Sequence, residues 1–448
     1  MKIVLVDLPT VSPILPTARI QPALWAAYLA IYLKPEIEIV FVDGRLGKSA
    51  RWLDNLAGPE WRVWGIPLTE LTDKILGHNP EIVGIHVGVS NDIGIAVRLI
   101  KQLRLHFNGR IILGGSGVAT IPEKYLPPEI TQEEVCLVRG IGSPLGLDIT
   151  APVADINCLP DRSILKEYWQ QYIEHDHPHS GPCLVKPSAQ IHTATGCGGS
   201  CRFCATRTPL RRRGLDSIKR ELEMLQQNYG MVGIQDESDN VLGFSDRQLA
   251  EVIPYLDLLI EMGFQSFESP NGLTVKGMSN PRFQEWLSRA LETGMAVRLL
   301  LPFESASDQI LTAMHKPQHR QDCDLLIEQL ATLKNKGKLH LEVFLQVGYH
   351  FVKNRGIQLE DLESIAATLK WSDELREVAA MNTWFNIPLP GTDVFPLWRK
   401  KLPQAPWESL LFSSPSLLYP QEVRAELLQE ILARNTAARS AAFEPKVD

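Results

Sequence analysis

The sequence predicts an α/β protein of two parallel sheets, an N-terminal doubly wound sheet and a partial (β/α)6 barrel, followed by a small helical region. Three observations carry this. Short Ile- and Val-rich runs alternate with amphipathic helical stretches through residues 1–148, the pattern of a parallel sheet covered on both faces. Six further strand–helix units follow in residues 187–391, too few for a closed eight-stranded barrel. Between them, residues 149–186 carry prolines and the His-rich stretch Glu174-His-Asp-His-Pro-His179, and read as a linker.

In the first domain, Lys2–Val6 reads as a strand, Pro22–Leu33 as a helix and Ile37–Val42 as a strand. A Trp-rich connector (Trp52, Trp61, Trp64) leads to a helix over Leu68–Gly77, a strand over Ile82–Val87, a helix over Asp92–His106 and a strand over Arg110–Leu113. Ligands of such sheets lie at the carboxyl ends of the strands. Those ends carry Asp7-Leu-Pro9, Asp43-Gly44, Gly88-Val-Ser-Asn-Asp92 and Gly114-Gly-Ser-Gly117. Glycine pairs there let a flat or anionic ligand approach the backbone, although tight turns use the same residues.

In the second domain, strands are expected at Gln190–Thr193, Met231–Gln235, Gln265–Ser269, Ala296–Leu301, Leu341–Val347 and Glu377–Ile387. Helices are expected at Ser217–Asn228, Asp246–Glu261, Pro281–Thr293, Gln321–Lys336 and Leu359–Lys370. Residues 392–448, with a helix near Gln421–Ala438, read as a helical cap.

With 448 residues, 44% of them hydrophobic, the chain buries a large core, and a formal charge of −7 offers nucleic acid no electrostatic attraction. Seven cysteines in no framework argue against a disulfide-stapled secreted protein and for a reducing cytoplasm. The opening Met1-Lys-Ile-Val-Leu-Val-Asp7 is too short for a signal peptide. The longest apolar stretch, Ala23–Leu33, falls short of the roughly twenty residues of a membrane span.

Chemistry concentrates in Thr195-Gly-Cys-Gly-Gly-Ser-Cys-Arg-Phe-Cys-Ala205. Cys197, Cys201 and Cys204 offer three thiolates at tight spacing, whereas a closed cluster or a structural zinc takes four protein ligands. Three ligands suit a [4Fe-4S] cluster with one iron open; a zinc completed by His192 or by His175, His177 or His179, and unrelated buried thiols, are the alternatives. The glycines let the backbone wrap closely and aim N–H groups at sulfur.

This C-x3-C-x2-C triplet, with the aromatic Phe203 before its last cysteine, resembles the signature of radical S-adenosylmethionine enzymes. The resemblance implies that S-adenosylmethionine chelates the open iron and yields a 5'-deoxyadenosyl radical that abstracts hydrogen from substrate. It further implies cofactor contacts from Phe203 and from Asp236 and Glu237 (where the family often has two glycines and a glutamate); Ser269, which with Asn271 follows the third barrel strand, and Arg298 on the fourth are further candidates by their position. Leu301-Pro-Phe-Glu-Ser-Ala-Ser-Asp308, followed by Met314-His-Lys-Pro317, is similar to the family's Gly-x-Glu-Ser-Gly-x-Asp stretch, which makes Glu304 and Ser305 candidates for the ribose or carboxylate. A helix N-terminus is the other reading of those serines. Leu345-Gln-Val-Gly348 and Asn386-Ile-Pro-Leu-Pro-Gly-Thr392 resemble the elements that shape the adenine pocket. The basic run Arg211–Arg213 would offset the cofactor carboxylate or lie on a solvated face.

The first domain resembles the cobalamin-binding half of cobalamin-dependent radical S-adenosylmethionine enzymes, through its proline-flanked first strand, the helix over Ala23–Leu33, Ser90, and the double glycine of Gly114-Gly-Ser-Gly-Val-Ala-Thr-Ile-Pro-Glu123. The Ile156-Asn-Cys-Leu-Pro-Asp-Arg162 stretch resembles the same family's connector. A Rossmann-like cobalamin domain with contacts from Pro9, Ser90, Asn91, Gly114, Gly115 and Ser116 is thereby implied. Two departures stand out: no Asp-x-His-x-x-Gly pattern follows the first strand, leaving His86 as the histidine near a strand end, and Arg139-Gly-Ile-Gly-Ser143 replaces the usual Gly-Glu-Gly-Glu. The implied activity is C-methyl transfer from methylcobalamin to an unactivated carbon of a small molecule or peptide, with flavodoxin or ferredoxin as electron donor. An oxidative cyclase or rearrangement enzyme, and a non-catalytic cobalamin or cluster sensor, are the alternatives.

Overall fold

The computed structural model describes residues 1–12, 22–33, 36–46, 50–51, 62–131, 135–137, 157–174 and 183–443. His175, His177, His179 and the Arg139–Ser143 stretch lie outside the described residues, as do Trp52 and Trp61. The chain divides into two compact units, Met1–Ser180 with Pro388–Ser414, and Gly181–Ile387 with Pro415–Asp448.

The first unit is a five-stranded parallel sheet of β1 (Lys2–Asp7), β2 (Glu38–Asp43), β3 (Ile82–His86), β4 (Arg110–Gly114) and β5 (Val135–Leu137), in the order β2-β1-β3-β4-β5. Strand order therefore reverses between β1 and β3, which is where doubly wound sheets open a ligand crevice. Register sets Asp43, Asp7, His86 and Gly114 side by side in the last row of four strands. Helices α1 (Leu24–Ala30), α2 (Leu68–Gly77) and α3 (Ile93–Arg104) cover the sheet; α3 buries Ile93, Ala96, Leu99, Ile100 and Leu103 at helical spacing.

Three expectations change here. Trp64, expected in a connector, belongs to a strand, Arg62–Trp64, of a small antiparallel sheet with Thr10–Ser12 and Ala50–Arg51. Residues 157–174, expected within a linker, form a 3-10 segment (Arg162–Tyr168) and a short helix (Trp169–Glu174) that bury Leu165 and Tyr172 against Ile3, Leu5 and Phe41. Apolar side chains at the inner positions outweigh the proline signal. The expected 392–448 cap is divided: Phe395 stacks with Trp398 and Trp407 and meets Tyr125 edge-on in the first unit, whereas the C-terminal helix packs in the second.

The second unit is a six-stranded, all-parallel sheet of β6 (Ser188–Ile191), β7 (Gly233–Asp236), β8 (Ser266–Ser269), β9 (Ala296–Glu304), β10 (Leu339–Val347) and β11 (Ala380–Phe385), ordered β11-β10-β9-β8-β7-β6. The intervening helices α4 (Leu215–Tyr229), α5 (Asp246–Glu261), α6 (Pro281–Glu292), α7 (Arg320–Leu333) and α8 (Leu362–Leu375) complete the partial (β/α)6 barrel. Local signals stop and start them: Ser245 caps α5, Asn280 with Pro281 opens α6, Asp361 caps α8 and left-handed Gly230 ends α4. Phe267 packs outward on Tyr255 and Trp286, so its neighbour Glu268 faces the opposite, inner side. Helix α9 (Gln421–Phe443) closes the end at β11, where Asn435 bonds both backbone groups of Thr383 and Leu427 and Ile431 pack on Phe385. Among the described residues no helix is long and apolar enough to cross a membrane.

Candidate active site

The cysteine loop follows β6 and a short antiparallel bridge between Ala194–Thr195 and Arg211–Arg212. Backbone bonds wrap it: Cys197 N and Gly198 N donate to Thr208 O (3.2 and 3.0 Å), and Arg202 N donates to Met314 O (2.9 Å). Gly196 takes φ 72°, and a Cβ there would lie 2.4 Å from Pro209 O, so the tight wrap requires glycine. All three cysteines are unpaired and half-buried. Asn240 anchors the first, donating to Cys197 O at 3.1 Å, and Thr206 N donates to Cys204 Sγ at 3.3 Å.

Burial pushes the Cys201 thiol up to about 11 and raises Cys204 as well, the neighbouring thiols adding to it while Lys316 pulls Cys201 the other way. Among the described residues no three His, Cys, Asp or Glu side chains close around a single ion. Three soft sulfur donors spread along one loop fit a cluster that takes one thiolate per iron.

Across the sheet, the expected cofactor residues separate into three groups. Asp236 is fully buried, and both its oxygens are committed within the protein: Thr193 Oγ1 donates to Oδ2 (2.5 Å), and Ser238 N and Oγ donate to Oδ1 (3.0 and 2.5 Å). Its carboxylate thus ties the end of β7 to the segment leading into the cysteine loop and is not available to a cofactor amine. Arg298 is likewise committed. It pairs with Glu268 (2.8 Å) in a register row that runs Gln190, Gln235, Glu268, Arg298, His340 across five strands. Glu268 also accepts Leu184 N (3.1 Å), so the row binds the entry segment of the barrel. Of the basic run, Arg213 is buried on Glu221 and donates to Ser217 Oγ (2.8 Å), which removes it as a cofactor counter-charge.

Ser305 forms the second group. Its hydroxyl meets Thr368 (3.2 Å) and accepts Ser307 N (3.1 Å), and Ser307 caps the short helix Asp308–Ala313. It shapes the turn before that helix, and the cap itself is Ser307. Glu237 gives its backbone to the fold, with its N–H on Ile191 O (2.9 Å) and its carbonyl accepting Asn271 Nδ2 (2.6 Å).

The third group is open or charged. Ser269, fully buried at the end of β8, has a hydroxyl with no partner. Glu304 sits at a bulge in β9 with φ 69°, a left-handed conformation uncommon outside glycine. Lys316 Nζ lies 2.9 Å from Glu304 Oε1 and 5.8 Å from the centre of the Phe203 ring, and Phe203 packs on Ile310, Met314 and Tyr349. Burial opposes the Lys316 charge, but Glu304 and Cys201 hold its ammonium above the ordinary range. Glu304 Oε2 accepts Gln346 (2.7 Å), Gln346 Oε1 accepts Asn386 (2.9 Å), Asn386 Oδ1 meets His350 Nδ1 (3.0 Å), and His350 Nε2 meets Ser416 (2.8 Å). Sequence reasoning missed Lys316, Gln346 and His350 as parts of this chain, although Lys316 lies in the Met314–Pro317 stretch already singled out.

In the first unit the last register row becomes a polar network. Asp7 Oδ1 accepts Trp25 Nε1 (3.0 Å) and meets His86 Nδ1 (2.8 Å). Arg45 bridges Asp7 (3.0 Å) and Asp43 (2.6 Å), and Asp43 accepts Tyr172 OH (2.5 Å). Burial works against the Asp7 charge, yet Arg45 and His86 hold its carboxyl below the ordinary range. Around this network lie Pro9, the buried Ser90 and Asn91, and the turn Gly114–Ser116, where Ser116 Oγ donates to Gly88 O (2.5 Å). Gly115 has φ 113°, and a Cβ there would lie 2.4 Å from Val87 O. The bare backbone and the crevice position fit a large flat ligand such as a corrin.

No protein-family model and no curated protein matches the chain. Among solved structures it resembles the cobalamin-dependent S-adenosylmethionine radical enzyme OxsB, with aqua-cobalamin and S-adenosylmethionine bound, at TM-score 0.56 and 12% identity, over 98% of this chain and 56% of OxsB. It also resembles the radical S-adenosylmethionine methyltransferase TsrM from Kitasatospora setae, with tryptophan and a cofactor analogue bound, at TM-score 0.57 and 13% identity, over 89% of this chain and 76% of TsrM. The chain has the fold of the cobalamin-dependent radical S-adenosylmethionine enzymes. It spans little more than half the length of OxsB. In this chain the cysteine loop follows the first strand of the six-stranded sheet, and glycine turns follow strands of the doubly wound sheet.

Proposed function

We propose that the chain is a cobalamin-dependent radical S-adenosylmethionine enzyme, and within that class a C-methyltransferase acting on an unactivated carbon of a small molecule or peptide. We assign it to the cytoplasm, with a flavodoxin or ferredoxin as electron donor. The observation that carries this is the set of three unpaired cysteines on one glycine-shaped loop after β6, in a chain whose other sheet is doubly wound with glycine turns beside its switch point. When bound, the cluster, S-adenosylmethionine and cobalamin would supply the reducing electron, the hydrogen-abstracting radical and the methyl group.

The protein's share is binding, orientation and exclusion of water. Cys197, Cys201 and Cys204 would each hold an iron, with the Lys316 ammonium near Cys201 offsetting the negative charge that three thiolates bring into a half-buried loop. Glu304 fixes that ammonium, and Gln346 and Asn386 fix Glu304. The unpartnered Ser269 hydroxyl is the polar group left for S-adenosylmethionine at the end of β8. Pro9, Ser90, Asn91, Gly114, Gly115 and Ser116 would line the corrin.

Anaerobic reconstitution should load about four irons and matching sulfide on one cluster per chain, together with one cobalamin. With S-adenosylmethionine deuterated in its methyl group, the label should appear in the product. Formation of 5'-deoxyadenosine without label in the product would replace methyl transfer by oxidation, cyclisation or rearrangement. Bound cobalamin without any 5'-deoxyadenosine would favour a sensor.

A further inference from the structure

We infer that His86 is the protein's axial ligand to the cobalt of a corrinoid, bonding through Nε2; this rests on the cobalamin part of the proposed function. His86 ends β3 and Asp7 ends β1, the two strands that flank the switch point. Asp7 meets Nδ1 of His86 at 2.8 Å. An ionised carboxylate only accepts hydrogen bonds, so Nδ1 carries a proton, and in the neutral ring Nε2 is the nitrogen with the lone pair. Arg45, itself bound to Asp43, pairs with Asp7 at 3.0 Å. Trp25 stacks on the imidazole at 4.5 Å between ring centres, with planes 23° apart, and donates to the same Asp7 oxygen, so ring and carboxylate are fixed together.

The direction of Nε2 follows from its neighbours. A Cβ on Gly115 would lie 2.7 Å from His86 Cδ2, and one on Gly88 would lie 3.4 Å from His86 Cε1. Nε2 is the atom between those two carbons, so it points between two residues without side chains, at the ends of β3 and β4. No described residue bonds it. A histidine whose inner nitrogen is held by a buried carboxylate, with its outer nitrogen unpartnered between two glycines, is the arrangement that orients a metal ligand. Pinning Nδ1 from a neighbouring strand replaces the missing Asp-x-His-x-x-Gly pattern with residues 79 positions apart.

The test is electron paramagnetic resonance of the full chain loaded with cob(II)inamide, a corrinoid without its own nucleotide base, so that any axial nitrogen comes from the protein. Nitrogen splitting of the cobalt lines is expected as a triplet, changing to a doublet when the protein carries ¹⁵N-histidine. His86→Gln and His86→Ala should both abolish the splitting. Asp7→Asn should keep it while weakening cobinamide binding about 10-fold or more, the usual effect of losing a carboxylate behind a metal-bound histidine. Bound cobinamide without splitting, or splitting that survives in both His86 variants, overturns the assignment and leaves the proposed function standing. Failure of the unaltered chain to bind any corrinoid overturns both.

Discussion

Each sheet carries a polar network that includes a histidine near the ends of its strands, and the two are finished differently. In the barrel, His350 is 1% exposed and both ring nitrogens are engaged, Nδ1 by Asn386 and Nε2 by Ser416. In the doubly wound sheet, His86 has Nδ1 engaged by Asp7 and Nε2 bare among the described residues. Buried polar groups are almost always paired. A closed network therefore reads as architecture, and an open valence as a place for something else. The same distinction separates Asp236, whose oxygens are used by Thr193 and Ser238, from Ser269, whose hydroxyl is unused.

The largest effect belongs to the open side. Replacing any one of Cys197, Cys201 or Cys204 by Ala should take cluster iron from about four per chain to near zero after reconstitution, measured as iron, sulfide and visible absorbance. Retention of a full cluster in one of these variants would show that the replaced cysteine is not a ligand.

On the closed side, Lys316→Met should cost about 3–5 kcal/mol of stability, because it strands the Glu304 carboxylate in a buried site. Lys316→Met with Glu304→Gln should recover much of that loss, since a neutral amide still accepts and donates beside Gln346. Denaturant unfolding of the metal-free chain reads both. An additive double variant would mean that the two side chains do not act as a pair.

A smaller effect follows from His350. Burial lowers it to about 4, so the folded barrel keeps a neutral ring while the unfolded chain takes up a proton near pH 6.5. The stabilisation is present above about pH 6.5 and is lost as pH falls towards 4, reaching roughly 3 kcal/mol. His350→Asn should flatten that part of the pH profile of barrel unfolding. An unchanged slope would show that another group titrates there.

Much of this was legible in the chain. The barrel strands announced themselves as Ile-, Val- and Leu-rich runs, and α5 and α2 have the bounds that their periodicity predicts. The cysteine triplet was legible because its spacing is local. What escaped depends on contacts between distant residues. Asp236 and Arg298 looked like ligand-binding charges because a strand-end carboxylate or guanidinium reads the same whether its partner is a cofactor or Thr193 or Glu268. Lys316 reaches Glu304 only because the backbone turns through a left-handed residue and a bulge at the end of β9, and neither feature has a mark in composition. Residues 157–174 carry the linker signals of Pro160 and of the histidines beyond them, while Leu165 and Tyr172 supply the burial that orders them.

The smallest expected change is the most discriminating. Ser269→Ala removes a fully buried hydroxyl that bonds nothing, so the metal-free chain should lose no stability and could gain up to about 1 kcal/mol, because an unmet polar group is costly to bury. A serine with a structural role, such as Ser305 on Thr368 and Ser307, should instead lose about 1 kcal/mol when changed to Ala. If Ser269 is kept open for S-adenosylmethionine, the cluster-loaded Ser269→Ala chain should bind the cofactor about 5- to 10-fold more weakly, the worth of one hydrogen bond. Unfolding of the metal-free chain and calorimetric binding to the loaded chain separate the two roles. Lost stability with unchanged cofactor affinity would move Ser269 to the closed class.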